Sequence, residues 1–348
     1  MVPAGPSTPV PATAASLATR RDSAPPPRSI LIIKPSSLGD VIHTLPAVAL
    51  VKRRWPDARL SWLINPEWAA LLDGNPHVDE AVPFPRREFR GLGGSLRVVP
   101  WARRLRERVQ ADLVLDFQGL LRSALIARLC RAPRGRIVGL SDAREGSRWL
   151  YDEAVDVSEV LHAVDRYLAM VGALGIETEL PLAWPLPAGT PPAAFNGSQP
   201  FLLLHPFARG EGKSLTLTEI EALCHALTPH TVVLAGRTEA QIAPTANAIN
   251  LLNRTTLAEL IWLIRRAAFV VSVDSGPMHI AAALTSRLLS IHTWSDPRKV
   301  GPYRPEAWIY KDRALFQQKH ASEPAQWRRD VDQAGLAEFI LRQLPGLP

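Results

Sequence analysis

The sequence is poor in residues that staple, ligate or bridge. It holds two cysteines, three methionines and four tyrosines in 348 residues. Cys130 and Cys224 lie too far apart for a local metal knuckle, which excludes a disulfide framework and suggests a reducing compartment. No apolar run reaches the roughly 18 residues that span a bilayer. The first 28 residues lack the basic start and apolar core of a secretory leader. The turn after the first apolar run, "KPSSLGD" (Lys34–Asp40), contains neither G-x-G-x-x-G nor G-x-x-x-x-G-K-[ST], so it supports neither a nicotinamide fingerprint nor a P-loop. No His/Cys/carboxylate cluster has the spacing of metal ligands. No RRM, KH, zinc-finger or clear helix-turn-helix signature is present, which makes nucleic acid the weaker partner class.

What is present is apolar and basic. Hydrophobic residues make up 47% and charged residues 21%, the balance of a soluble globular protein. The length accommodates two domains. The formal net charge is +7 and the sequence pI about 9.8, which favours phosphorylated substrates or anionic membrane surfaces as partners. Eight arginines fall between Arg86 and Arg108. They form either a plain solvated helix face or a surface that docks peripherally on anionic lipid.

Residues 1–28 are rich in Pro, Ala, Ser and Thr and read as a disordered tail. Strand-like runs then alternate with helical spacing: "SILIIK", "RLSWLIN", "DLVLDF" and "GRIVGL" come before a Pro/Gly-rich break. "FLLLHP", "TVVLAG", "FVVSVD" and "LLSIHTW" come after it. The alternation implies an α/β protein with two doubly wound parallel sheets. The expected boundaries are an N-terminal domain over 29–187, a linker over 188–200, a second domain over 201–325 and a terminal amphipathic helix over 326–348. Pro46 is expected in the first turn of its helix, where proline is tolerated. Ligands of such sheets sit at the carboxyl ends of the strands, in the cleft between the domains.

Three stretches place reactive groups there. In "KPSSLGD", Asp40 is either a helix N-cap or a carboxylate that takes a proton from an attacking hydroxyl, with Lys34, Ser36 and Ser37 holding nearby anions or hydroxyls. In "VVSVDSGPMHIAAAL" (Val270–Leu284), Gly276 allows close backbone approach and Pro277 suits the first helical position, so the helix start offers a diphosphate site. His279 is either a packed helix residue or part of that site. In "HPFARGEGKSLT" (His205–Thr216), Arg209 and Lys213 suit phosphate oxygens, or form an ordinary exposed loop.

With "DFQGLLRSALIARL", "SDAREGSRWLYDEAV" and "HAVDRYL", these stretches resemble glycosyltransferase family 9, the ADP-heptose:lipopolysaccharide heptosyltransferases, most closely its type I members. The resemblance covers roughly residues 29 to 320. It implies a GT-B fold, with the acceptor on the N-terminal domain and the nucleotide sugar on the C-terminal one. It also implies inverting transfer of a heptose from ADP-heptose to the Kdo region of a lipid-linked, phosphorylated inner core, with no cofactor or tightly held metal. Asp40 matches the catalytic base. Lys213, Arg209, Asp274, Ser275, Gly276, Met278, His279 and Asn250 fall on the donor side, Asn250 near where an acidic residue often meets the ribose. Lys34, Ser36, Ser37, Gly39, His43, Gln118, Arg122 and Arg144 fall on the acceptor side. The expected location is cytoplasmic, peripheral on the inner face of the inner membrane. Three other readings stay open: a different nucleotide sugar or acceptor within the family, a nicotinamide-dependent oxidoreductase, and a non-catalytic basic protein that binds membrane surfaces.

Overall fold

A computed structural model describes residues 25–321 and 329–344, apart from positions 90, 159, 161, 180, 196, 211 and 244. Most of the expected N-terminal tail, and Arg90 of the arginine run, therefore lie outside the described residues. The first lobe runs β1 (Ser29–Ile33), α1 (Leu38–Arg54), β2 (Arg59–Ile64), β3 (Glu80–Pro83), α2 (Gly91–Val109), β4 (Ala111–Asp116), α3 (Leu121–Cys130), β5 (Arg131–Leu140), β6 (Glu153–Val155) and α4 (Ala163–Gly172). Its sheet has the order β3-β2-β1-β4-β5-β6, and every pairing is parallel. β1 is aliphatic at every position after Ser29 and is covered on both faces, as a central parallel strand must be.

The second lobe runs β7 (Leu202–His205), α5 (Leu217–Ala226), β8 (Val232–Leu234), β9 (Ala248–Asn250), α6 (Leu257–Arg266), β10 (Phe269–Val273), α7 (Gly276–Leu284), β11 (Leu288–Ile291), α8 (Pro297–Val300), β12 (Trp308–Lys311), β13 (Ala314–Gln317) and α9 (Gln333–Arg342). The order is β13-β12-β11-β10-β7-β8-β9. The sheet is not wholly parallel, as the sequence suggested: β13 pairs antiparallel with β12. β12 and β13 are only four residues each, too short for periodicity to reveal them. Among the described residues the terminal helix spans Gln333–Arg342, is capped by Asp332, and packs on α5 through Leu336, Ala337 and Ile340; positions 326–328 and 345–348 of the expected helix lie outside the described residues.

Pro46 lies in the middle of α1, not in its first turn. It has no N–H to donate to the carbonyl of Ile42. The helix nonetheless runs through it, because Val41 to Val51 are buried between β1, α4 and the second lobe. Packing overrides the local preference.

The lobes share one continuous apolar core. Ile42, Leu45 and Tyr167 of the first belong to the same buried cluster as Met278, Ala281, Leu260 and Ile261 of the second. Two glycines allow the closest approach. A Cβ on Gly39 would lie 2.5 Å from the ring of His279, and one on Gly276 would lie 2.4 Å from Leu38. The amino ends of α1 and α7 therefore meet across the cleft.

Candidate active site

In each sheet the strand order reverses once, and the candidate residues cluster at both reversals. In the first lobe the switch lies between β1 and β4, where Asp40 and Gln118 follow the strands. In the second it lies between β7 and β10, where Lys213 and Asp274 follow them.

Asp40 is held from three sides. Its Oδ2 accepts the Ser37 N–H at 3.0 Å and the Ser37 hydroxyl at 2.6 Å. Its Oδ1 accepts the Tyr167 hydroxyl at 3.4 Å and lies 3.8 Å from the Lys34 ammonium. Burial works against ionisation, but Lys34 and the two Ser37 hydrogen bonds outweigh it and keep the carboxyl below its ordinary range. The side chain is still 38% exposed, so a ligand can reach it. Capping and cleft exposure coexist, and the two sequence alternatives for this residue merge.

Lys34, expected to hold an anion or hydroxyl of the acceptor, is instead turned inward. It is 4% exposed and donates to the Phe117 carbonyl at 2.9 Å, with its ammonium 5.1 Å from the Tyr167 ring centroid. β1 ends by directing it into the lobe rather than outward. Burial disfavours its charge, but Tyr167 and Asp40 keep its pKa raised.

His43 and His279 also depart from expectation. The resemblance puts them on opposite substrates, yet His43 Nε2 and His279 Nδ1 lie 3.0 Å apart and both residues are buried. His162 packs edge-on against His43 and reaches the Gly301 carbonyl of the second lobe at 3.1 Å. Burial drives the pKa of His279 down to about 4 and that of His43 well below its ordinary value. These rings join the lobes to each other. Met278 is fully buried in the shared core, so its side chain cannot touch a donor.

Of the remaining acceptor-side residues, Ser36, Gln118 and Arg122 line a cavity of about 240 Å³ at the carboxyl ends of β1 and β4, whereas Ser37 and Gly39 do not. Asn65, Arg86 and Glu145 line it as well. Arg86, Phe84 and Asn65 also border a second hollow beside it. Arg144 is exposed and does not line the cavity; its backbone N–H donates to the Gly119 carbonyl at 2.9 Å, and its neighbour Glu145 faces the space instead. Sequence reasoning missed the buried group that shapes this wall. Asp116 accepts from the Tyr151 hydroxyl at 2.9 Å, the Ser123 hydroxyl at 2.8 Å and the Gln118 N–H at 2.9 Å. The strand-terminal Asp in "LVLDFQG" was the available signal.

On the facing lobe, Lys213 donates to Asp274 Oδ2 at 2.8 Å. Burial raises the Asp274 pKa, but His292, Lys213 and Ser295 together bring it below its ordinary value. The Ser275 side chain does not cap α7; it meets Ser272 Oγ at 3.3 Å and leaves the first-turn amides without a side-chain acceptor. Thr293 Oγ1 donates to the Gly212 carbonyl at 2.7 Å and ties the loop after β11 to the Lys213 loop. Arg209 lies over Trp68 of the first lobe, 5.9 Å from the ring centroid, rather than beside Asp274. Asn250 ends the edge strand β9, three strands from β10, with its Oδ1 engaged by the Leu252 N–H. Strand spacing puts it about 14 Å from the β10 turn. It does not join the Lys213–Asp274 cluster.

A family model described as glycosyltransferase family 9 (heptosyltransferase) matches residues 99–326. The chain belongs to glycosyltransferase family 9. Lipopolysaccharide heptosyltransferase 1 of Pseudomonas aeruginosa is 31% identical over 294 residues, covering 79% of this chain and 81% of that protein. The enzyme of the same name from Escherichia coli K12 is 25% identical over 295 residues, covering 79% and 90%. Among solved structures, E. coli heptosyltransferase WaaC with ADP superposes with a TM-score of 0.70 at 21% identity, covering 90% of this chain and 99% of that one. E. coli ADP-heptose LPS heptosyltransferase II superposes at 0.72 and 22%, covering 91% and 98%. The fold is GT-B and the chain is a glycosyltransferase. The family member carries Asp40 and the Lys213–Asp274 cluster on opposite walls of its cleft, while its paired histidines close the floor.

Proposed function

We propose that this glycosyltransferase moves a heptose from ADP-heptose to the Kdo region of a phosphorylated, lipid-linked inner core, with inversion at the anomeric carbon. The acceptor hydroxyl enters from the cavity at Ser36, Gln118 and Arg122. It attacks the anomeric carbon on the face opposite the diphosphate, and Asp40 takes its proton as the new C–O bond forms and the bond to the diphosphate breaks. The departing ADP is already an anion, so the second lobe has to stabilise charge rather than supply a proton. Lys213 and the amino end of α7 at Gly276 do so, with no resident metal or cofactor in the scheme. Arg122 and Arg86 meet the phosphates of the acceptor. The enzyme works on the cytoplasmic side of the inner membrane, in peripheral contact with anionic lipid.

The observation that supports this reading best is the state of Asp40: ionised, reachable, and at the switch point that faces the donor lobe. Replacing it with Asn is expected to leave folding and ADP binding intact and to lower kcat by about 10²–10⁴. Product mass after incubation with ADP-heptose and Kdo-lipid A is the measurement, and near-normal turnover removes Asp40 from the mechanism. The family resemblance implies an acidic residue near the ribose where this chain carries Asn250, which favours one second reading: a different nucleotide sugar on the same machinery. A panel of nucleotide sugars in the same assay separates the two.

A further inference from the structure

Among the described residues, six large hydrophobic side chains stand exposed: Leu96, Val99, Leu121, Leu125, Trp149 and Trp294. Trp294 borders Lys213. The other five fall on three neighbouring pieces of the first lobe. α2 packs on α3, and α3 packs on the turn Ser147–Leu150. Helical spacing accounts for the arrangement. In α2, Ala102, Leu105 and Val109 cover the sheet, while Leu96, Val99 and Arg103 share the outer face. In α3, Ala124, Ala127 and Cys130 face inward, while Leu121 and Leu125 point out. Trp149 is 75% exposed, with the Arg148 guanidinium 4.4 Å from its ring centroid.

The charge of this face has one sign. The three elements carry eight arginines and one acidic residue, Glu107. Arg108 pairs with Glu80 and Arg128 with Asp152. Arg97, Arg103, Arg104, Arg106, Arg122 and Arg148 make no ion pair among the described residues. Exposed leucines and a tryptophan ringed by unpaired arginines match the interface of an anionic bilayer, where indoles and aliphatic groups enter the headgroup boundary and guanidinium groups meet lipid phosphate. A second copy of the chain would bring like charges together, and a soluble polyanion leaves the five apolar groups in water.

We propose that the face formed by α2, α3 and the Ser147–Leu150 turn docks on an anionic bilayer, with Leu96, Val99, Leu121, Leu125 and Trp149 inserted among the headgroups. This deepens the peripheral-membrane part of the proposed function and rests on it. It also assigns an orientation. Arg122, Ser123 and Ile126 of α3 line the acceptor cavity, so the helix that touches lipid is also the cavity wall. A lipid-linked acceptor then enters from the plane of the bilayer without leaving it.

The test is co-sedimentation of the full chain with vesicles of phosphatidylcholine alone and of phosphatidylcholine mixed with phosphatidylglycerol. Binding is expected to the mixed vesicles only, and to fall with salt. Leu125→Ser and Trp149→Ser are each expected to lower partitioning by roughly tenfold. Arg103→Gln and Arg104→Gln are each expected to lower it by about fivefold. Titration with ADP and turnover of a lipid-free acceptor fragment should be unchanged in all four, because none of these side chains lines the cavity or the donor loops. Three results overturn the proposal: no binding of the wild-type chain to mixed vesicles, normal binding by the two serine variants, or a lipid-independent dimer that Leu125→Ser dissociates. If docking fails while transfer is intact, only the docking face is lost. If transfer fails while docking is intact, the fault lies with the proposed function.

Discussion

Asp40 and Lys34 form a couple in which a buried cation sets the state of an accessible anion. Lys34 is the chief force holding the Asp40 carboxyl down against its own burial. Lys34→Met removes that charge and leaves the burial, so the Asp40 pKa rises. A general base must be deprotonated to act, so the acid limb of the kcat/KM profile is expected to move to higher pH. Turnover at alkaline pH should suffer less than turnover at acid pH. A limb that stays in place, in a variant whose circular dichroism matches wild type, would remove Lys34 from this role. Sequence reasoning placed Lys34 on the acceptor because residue type and position in the turn were all it had. The direction in which β1 points its last side chains depends on the sheet.

At the scale of elements, the segment between the lobes behaves as a brace. Its composition, rich in Pro and Gly, reads as a free linker, but it lies along α6. Arg265 donates to the Leu186 carbonyl at 2.8 Å, and the Thr190 N–H reaches the Ala258 carbonyl at 3.2 Å. Gly189 has a φ of +79°, and a Cβ there would lie 2.5 Å from the Ala258 carbonyl oxygen and 2.6 Å from the Trp262 nitrogen. Both obstacles are helical backbone and cannot give way. Gly189→Ala is therefore expected to destabilise the protein by about 1–3 kcal/mol through strain alone. Urea denaturation measures it, and a midpoint equal to wild type would show that the segment is not held against α6. Glycine content signalled a turn here, but it carried no information about the helix that the turn touches.

For the whole molecule, the decisive contact is the histidine pair between the lobes. His279 faces His43 and His162 together with Asp40, Asp274 and Lys213. Its pKa is about 4 in the folded protein against 6.5 for the free side chain. The unfolded chain therefore binds more protons between those values, and stability must fall as pH drops through that window. Above about pH 6.5 the contribution is complete. Thermal melts between pH 7 and pH 4 are expected to show Tm falling with pH. The fall should be shallower in His279→Gln, which cannot be charged. An equal slope in both proteins would place the acid sensitivity elsewhere. Asp40 and Asp274 act in the same direction, but below the ordinary carboxylate range, so they do not account for a slope near pH 5.

The sequence by itself determined the repeated strand–helix alternation, the ends of β1, β7 and β10, and the turns that carry Asp40, Lys213 and Asp274. These follow from short-range rules: aliphatic runs form buried parallel strands, and the ligand-facing turns come after them. Tertiary structure alone decided which of the turn residues face the cleft. His43, Met278 and His279 are buried because two lobes pack together at Gly39 and Gly276, and Lys34 because the end of β1 turns it toward Phe117 and Tyr167 inside the first lobe. It also decided the outer face of α2 and α3, since three segments distant in sequence become one surface only when they cover the same sheet. Side-chain spacing is local, whereas burial depends on what the rest of the chain places opposite.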